Sequence, residues 1–292
     1  MRYLMENIIL LEDGVKKKVS VLVKKGKIHY LGSPLPRLNV MKIEVQAYTL
    51  TPSFVFFSPN IPCFSFDQFK SFLSQQFLLK GCGTFISFFS IDYHSEFDES
   101  VSKKRLGFIN SPIDFILGLK IHALKLTPSI ITKCNSAGIP IIFVEFSMFN
   151  ELNSIPWGWI KTASFPQNPI LVPYFEKNIR PLQQRRLLKK WTELLRNEKI
   201  HHLPQPLPVN EPLKLDVIKK IGLYPKKGVL KQGGEINYNL FLNKQLSGTP
   251  FQKNIEPDIS VNKGKFSNIN RQPIFRPGFG EELMIRQTAL FR

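Results

Sequence analysis

Glu198 and His202 stand four residues apart, a spacing that on a helix turns two metal ligands to one face. Their neighbours are basic and polar, so a solvated helix end explains them more plainly. Asp92 and His94 follow a strand-like run, the place where barrel enzymes put functional groups. They suit an acid–base pair, although an ordinary loop accounts for them as well. The remaining histidines are His29, His122 and His201. Cys63, Cys82 and Cys134 form no CxxC pair and are odd in number, which points to reduced thiols in a cytoplasmic protein. Cys82 and Cys134 fall at core positions, with no His–Asp pattern to mark a nucleophile. Trp157 and Trp159, between Pro156 and Pro166, suit a binding surface or packing beneath a loop. Gly222, Gly228, Gly233 and Gly234 fit turns better than a phosphate-binding loop.

The elements that must position these residues change character along the chain. Asn7–Leu11, Val19–Val23 and Ile28–Leu31 read as strands, separated by the turn signals Asp13-Gly14 and Lys25-Gly26. Lys42–Val45 and Leu50–Phe57 follow. Up to Val45 this predicts a small antiparallel sheet. Beyond residue 50, strand and helix alternate. Phe69, Phe72, Leu73 and Phe77 form an apolar helical stripe over Asp67–Leu79, and Thr84–Phe89 is a run suited to a buried parallel strand. Phe115–Ile121 reads as another strand. Thr127-Pro128 starts a helix that ends at Ala137-Gly138 and feeds the strand Ile139–Phe146. That order implies a βαβ crossover. Residues 147–180 read as irregular. Arg180–Ile200 is the strongest amphipathic helix, with Leu187, Leu188, Trp191, Leu194 and Leu195 on one face. A proline-spaced linker, Leu203–Pro212, leads to a short helix at Leu213–Ile221 and a strand pair around Gly228–Leu242. From about Gln245 the chain is polar, with little periodicity.

Composition narrows the function classes. Hydrophobic residues make up 43% of the 292, enough for a packed core, and Phe alone contributes 25. No apolar run approaches the ~18–20 residues of a membrane span. The first residues lack the apolar segment and small-residue cleavage site of a secretory signal. Forty Lys and Arg against 22 Asp and Glu leave a net charge of +18, which favours phosphates and anionic surfaces. The basic clusters are scattered and RNA-binding signatures are lacking, so a solvated basic surface is the plainer reading and nonspecific polyanion binding the sharper one.

Three stretches together resemble the amidohydrolase superfamily, on the dihydroorotase, hydantoinase and N-acetylglucosamine-6-phosphate deacetylase side. Ile8–Gly14 with Val21–Ile28 resembles the first half of that family's composite β-sandwich. Leu50–Val55 resembles the entry into its barrel. Ile221–Gly228, followed by Gly233-Gly234-Glu235, resembles the return to the sandwich. The resemblance implies an α/β fold: a truncated or partial (β/α) barrel-like body over 50–221, a small composite β-sandwich from 1–49 and 222–244, and a loosely ordered tail over 245–292.

Departures from the family's pattern decide the functional expectation. Where the resemblance implies Asp-x-His-x-His at the end of the first barrel strand, this chain has Phe56, Ser58 and Asn60. A phenyl ring cannot ligate, and a neutral hydroxyl or amide replaces imidazole poorly. Lys120 in Gly118-Leu119-Lys120-Ile121 matches the family's metal-bridging lysine, and Glu145 matches an acid of the next strand, but Phe143 stands at that strand's histidine. No later match to the remaining barrel histidine or to the catalytic aspartate is found. Thr51 to Asp216 is also far shorter than the ~250 residues of a whole barrel. The expectation is a non-catalytic, cofactor-free amidohydrolase-like protein with a binding or accessory role. Its open sheet edges would be covered by the tail, a protein partner or a second copy. One alternative is a C–N hydrolase holding zinc or another divalent metal through Lys120, Glu145, Asp92 and His94. The other is a basic nucleic-acid or polyanion binder.

Overall fold

The computed structural model describes residues 2–33, 38–63, 65–175, 179–243 and 256–285. The chain opens with β1 (Arg2–Glu12), β2 (Val15–Lys24), β3 (Lys27–Gly32), β4 (Met41–Ile43) and β5 (Tyr48–Pro52). Both turn signals act as expected. Asp13 and Gly14 have φ of 49° and 77°, and Lys25 and Gly26 have 51° and 76°, the left-handed pair that matches a two-residue hairpin to strand twist. The sheet is mixed rather than antiparallel, because β4 and β5 both pair parallel to β1.

At Ser53 the chain crosses to a second sheet, so the single expected run Leu50–Phe57 is two strands. This sheet is all parallel: β6 (Phe54–Phe57), β7 (Cys82–Ser90), β8 (Asp114–His122), β9 (Ile141–Glu145) and β10 (Ile170–Tyr174), in spatial order β10-β9-β8-β7-β6. The crossovers carry α1 (Phe66–Leu73, continued by a π-helical turn over Ser74–Leu78), α2 (Phe97–Gly107), α3 (Pro128–Ala137), α4 (Phe149–Asn153) and α5 (Trp157–Ser164). The α3 start is as its sequence dictates: Thr127 Oγ1 accepts from Ile130 N–H at 3.4 Å, and Gly138 closes the helix at φ 70°. Residues 147–180 are not irregular, since α4, α5 and β10 lie there. Pro173 within β10 disguises that strand, being tolerable only at a sheet edge. Helix α6 (Pro181–Asn197) follows, then α7 (Leu215–Ile221).

The parallel sheet curls into a half-barrel with β6 and β10 as its edges, and residues 201–213 bridge them. At β10, Leu171 N–H donates to His201 O (3.0 Å) and Leu203 N–H to Leu171 O (2.9 Å). At β6, Asn210 N–H donates to Phe57 O (2.8 Å) and Leu213 N–H to Val55 O (2.8 Å). Pro204, Pro206, Pro208 and Pro212 lie in this strap and have no N–H to leave unpaired. Both edges are thus covered by the chain itself. The strap's Leu203, Leu207 and Leu213, with Ile218 and Ile221 of α7, pack into the concave face against Val55, Ile86, Ile116 and Ile141. The convex face packs its Phe85, Leu117 and Val144 rows against the helices.

The expectation of a loose tail fails over residues 256–285. There, β12 (Ile259–Asn262), β13 (Lys265–Ile269) and β14 (Gln272–Pro273) extend the mixed sheet through β11 (Tyr238–Leu242), which pairs with β5. The expected strand pair before Leu242 is only β11, whose partners come from outside that window. Beyond β14 the chain closes the amino-terminal end of the half-barrel. Phe115 N–H donates to Glu281 O (2.9 Å), Leu283 N–H donates to Phe115 O (2.8 Å), and Arg105 grips both Glu282 oxygens at 2.8 and 2.9 Å. Gly280 is required there, since a Cβ would lie 1.9 Å from Ile113 O. Beside it, buried Asp114 takes Lys227 at 2.6 Å and Lys263 at 2.7 Å, which reach on to Glu235 (2.6 Å) and Glu281 (3.2 Å). This network spans both sheets and the tail. Little of it shows in local sequence, because its members lie up to 167 positions apart.

Candidate functional site

Parallel strands end together, so side chains that leave their carboxyl ends converge. Pairing sets Ser90 beside Lys120, Lys120 beside Phe143, and His122 and Tyr174 on either side of Glu145. Alternation then sorts them. Phe57, Phe88, Phe143 and Tyr174 turn into the concave face, while Phe56 joins the helix-facing core with Phe54 and Phe85. Phe57 and Phe143 stack at 4.8 Å between ring centres, Phe88 lies 5.2 Å from Phe143, and Tyr174 meets Phe88 edge-on at 5.4 Å. Gly118 makes room for this layer, since a Cβ there would sit 2.8 Å from the Phe143 ring. Of the other degenerate positions, Ser58 is buried and donates its N–H to Ile86 O at 2.9 Å, and Asn60 is exposed.

Above the rings, Lys120 Nζ lies 3.2 Å from Glu145 Oε2 and 5.3 Å from the centre of the Tyr174 ring. Two residues further along β8, His122 Nδ1 accepts from Leu124 N–H at 3.3 Å, and its Nε2 lies 3.5 Å from Glu151 Oε2. Glu151 is itself held by Ser147 and Met148 N–H groups, both at 3.2 Å. The structure therefore brings Lys120 and Glu145 together and sends Asp92 and His94 elsewhere. Asp92 pairs with exposed Lys125 at 3.1 Å, and His94 Nε2 meets Ser129 Oγ at 2.7 Å. Tyr174, His122 and Glu151 were missed by the sequence reading. Tyr174 ends an unrecognised strand, and Glu151 lies on a five-residue helix too short to show a period.

The other candidates resolve individually. Helix α6 stops at Asn197, so Glu198 and His202 share no helix face. His202 instead packs edge-on to Trp191, its Nδ1 is 2.8 Å from Ile200 O, and burial lowers its pKa. Trp157 is buried and donates to Leu152 O at 2.9 Å, while Trp159 is exposed. Burial pushes the Cys82 thiol up to about 12 and raises that of Cys134, so neither is a ready nucleophile. Half-buried Cys63 sits 3.9 Å from Lys104 Nζ.

Among the described residues no three His, Cys, Asp or Glu side chains converge as metal ligands. With rings filling the concave face, the residues at the strand ends do not fit a catalytic divalent metal. Nor is any described helix long and apolar enough to cross a membrane.

No family profile matches the sequence, and no curated protein does. Solved structures do. A dihydropyrimidinase from Brevibacillus agri superposes with a TM-score of 0.72 at 10% identity, covering 99% of this chain and 100% of that one. An L-hydantoinase (dihydropyrimidinase) from Arthrobacter aurescens gives 0.67 at 10% identity, covering 98% and 99%. A D-hydantoinase (dihydropyrimidinase) from a Thermus species gives 0.58 at 12% identity, again covering 98% and 99%. The chain shares the hydantoinase fold, as its turn and strand motifs implied.

Proposed function

We propose that this chain is a hydantoinase-fold protein that has lost metal-dependent hydrolysis and serves a binding or accessory role in the cytoplasm. The observation that carries the reading is the aromatic layer of Phe57, Phe88 and Phe143. It occupies the concave face beneath the strand ends, where the fold's ligands would gather around a metal. An apolar, close-packed layer offers no lone pair and no open coordination position. In this reading the half-barrel is a truncated barrel, with the strap standing where further strands would be. The mixed sheet is the composite sandwich, its two halves joined by the β5–β11 pairing.

Metal content by mass spectrometry, on protein purified without chelator or nickel resin, tests it. Metal far below one per chain, unchanged after zinc is added, is the expected result, with no ring opening of dihydropyrimidines or hydantoins. Near-stoichiometric zinc, manganese or iron overturns it and turns attention to the Lys120–Glu145 pair.

A further inference from the structure

The loops that follow β7, β8 and β9, and the first turn of α6 after β10, each present one large apolar side chain to solvent. Tyr93, Leu124, Met148 and Leu182 are 61% to 73% exposed, and what sets them apart from other exposed apolar side chains is that they follow successive strands of one sheet. Contacts tie them into one strip. Lys125 Nζ lies 5.9 Å over the Tyr93 ring, next to Leu124, and His122 reaches across to Glu151 of the Met148 loop. Gln183, next to Leu182, donates to Ser147 O at 3.4 Å. Strand order makes the sequence along the strip Leu182, Met148, Leu124, Tyr93.

The two ends of the strip carry opposite charge. At the Tyr93 end, α2 begins with exposed Asp98 and Glu99, of which Asp98 is paired with Lys133 at 2.9 Å and Glu99 faces solvent. At the Leu182 end, exposed Arg180 caps α6, exposed Arg185 and Arg186 follow in its second turn, and there is no acid in its first turn. Cations at the positive end of a helix dipole are unfavourable unless an anion faces them. A two-fold axis between Leu124 and Met148 would set the acidic end of one copy on the basic end of the other, with the apolar side chains between them. A surface complementary to itself in this way is the signature of an isologous contact.

We propose that the rim at the strand carboxyl ends is an interface between two copies of this chain. The proposal rests on the non-catalytic reading only in that a covered rim leaves a substrate no path. Molar mass and metal content are measured separately, so either can fail alone.

Sedimentation velocity on the full chain at micromolar concentration tests it, with circular dichroism confirming that each variant is folded. The wild type is expected at twice the chain mass, and Leu124→Glu with Met148→Glu at one. Arg180→Glu with Arg185→Glu, and separately Asp98→Lys with Glu99→Lys, each weaken self-association at least tenfold. Mixed together, those two variants pair again, because each supplies the charge the other lacks. A monomeric wild type overturns the proposal. So does a dimer that every folded variant retains, since its contact then lies elsewhere.

Discussion

The two ends of the parallel sheet treat ionisable groups in opposite ways. At the amino end, Asp114 and Lys227 are almost wholly buried, and their charges are matched by Lys263, Glu235 and Glu281 in a connected set. At the carboxyl end, charges stand in separate pairs at or near solvent, and burial is left to aromatic rings. In barrel folds the amino end serves stability and the carboxyl end serves chemistry. Here the amino end carries the buried ion network, and aromatic packing occupies the concave face beneath the carboxyl end. The two ends can differ in this way because each depends on a different part of the same strands.

Asp114→Ala should give the largest effect. It removes the one carboxylate shared by Lys227 and Lys263 and leaves each with a single, more exposed partner, Glu235 or Glu281, a change expected to cost about 3 kcal/mol in denaturant unfolding. A loss below about 1 kcal/mol would mean that the network contributes no more than a surface pair. Phe143→Ala opens a void in the ring layer and should cost a comparable ~3 kcal/mol, without conferring metal binding by mass spectrometry. If stability barely changes, the carboxyl end is not the packed plug described.

Acid should separate the ends further. Burial alone would raise the Glu235 pKa, but Lys227 and Asn237 outweigh it and hold it below its ordinary 4.5. The stability this gives is present above pH 4.5 and lost as pH falls through the lowered value. Lys263 is the mirror case: Asp114 and Glu281 overcome burial and raise its pKa, so its contribution is full below 10.5 and lost as pH rises through the raised value. Glu235→Gln should therefore flatten part of the acid limb of a thermal melting profile. An unchanged limb would remove Glu235 from the account. The smallest effect is expected at the rim, where Lys120→Met with Glu145→Gln should shift stability by no more than ~1 kcal/mol. A larger loss would show that the carboxyl end, too, depends on its ions.

Much of the half-barrel was legible because its strands and helices carry their periods locally. Thr127, Pro128 and Gly138 bound α3, and the apolar run Ile141–Val144 could hardly be anything but buried. The missed elements share a cause. Pro173 argued against β10, and α4 and α5 are too short to show a period. The strands β12 and β13 looked like a tail because Asn262, Ser267 and Asn268 are polar, yet all three are buried. Asn268 donates to Pro257 O at 2.8 Å and Asn262 to Ser267 Oγ at 3.1 Å, partners no composition count could anticipate.

By itself the sequence determined the hairpins, the βα alternation, and the absence of imidazole where the family's pattern places it. These follow from backbone preference and side-chain chemistry, which each residue carries with it. Only the tertiary structure decided that Phe57 rather than Phe56 meets Phe143, that a proline strap joins both sheet edges, and that Asp114 gathers two distant lysines. Those depend on strand register and on contacts between segments far apart in the chain, and a shift of one residue reverses which face a side chain takes.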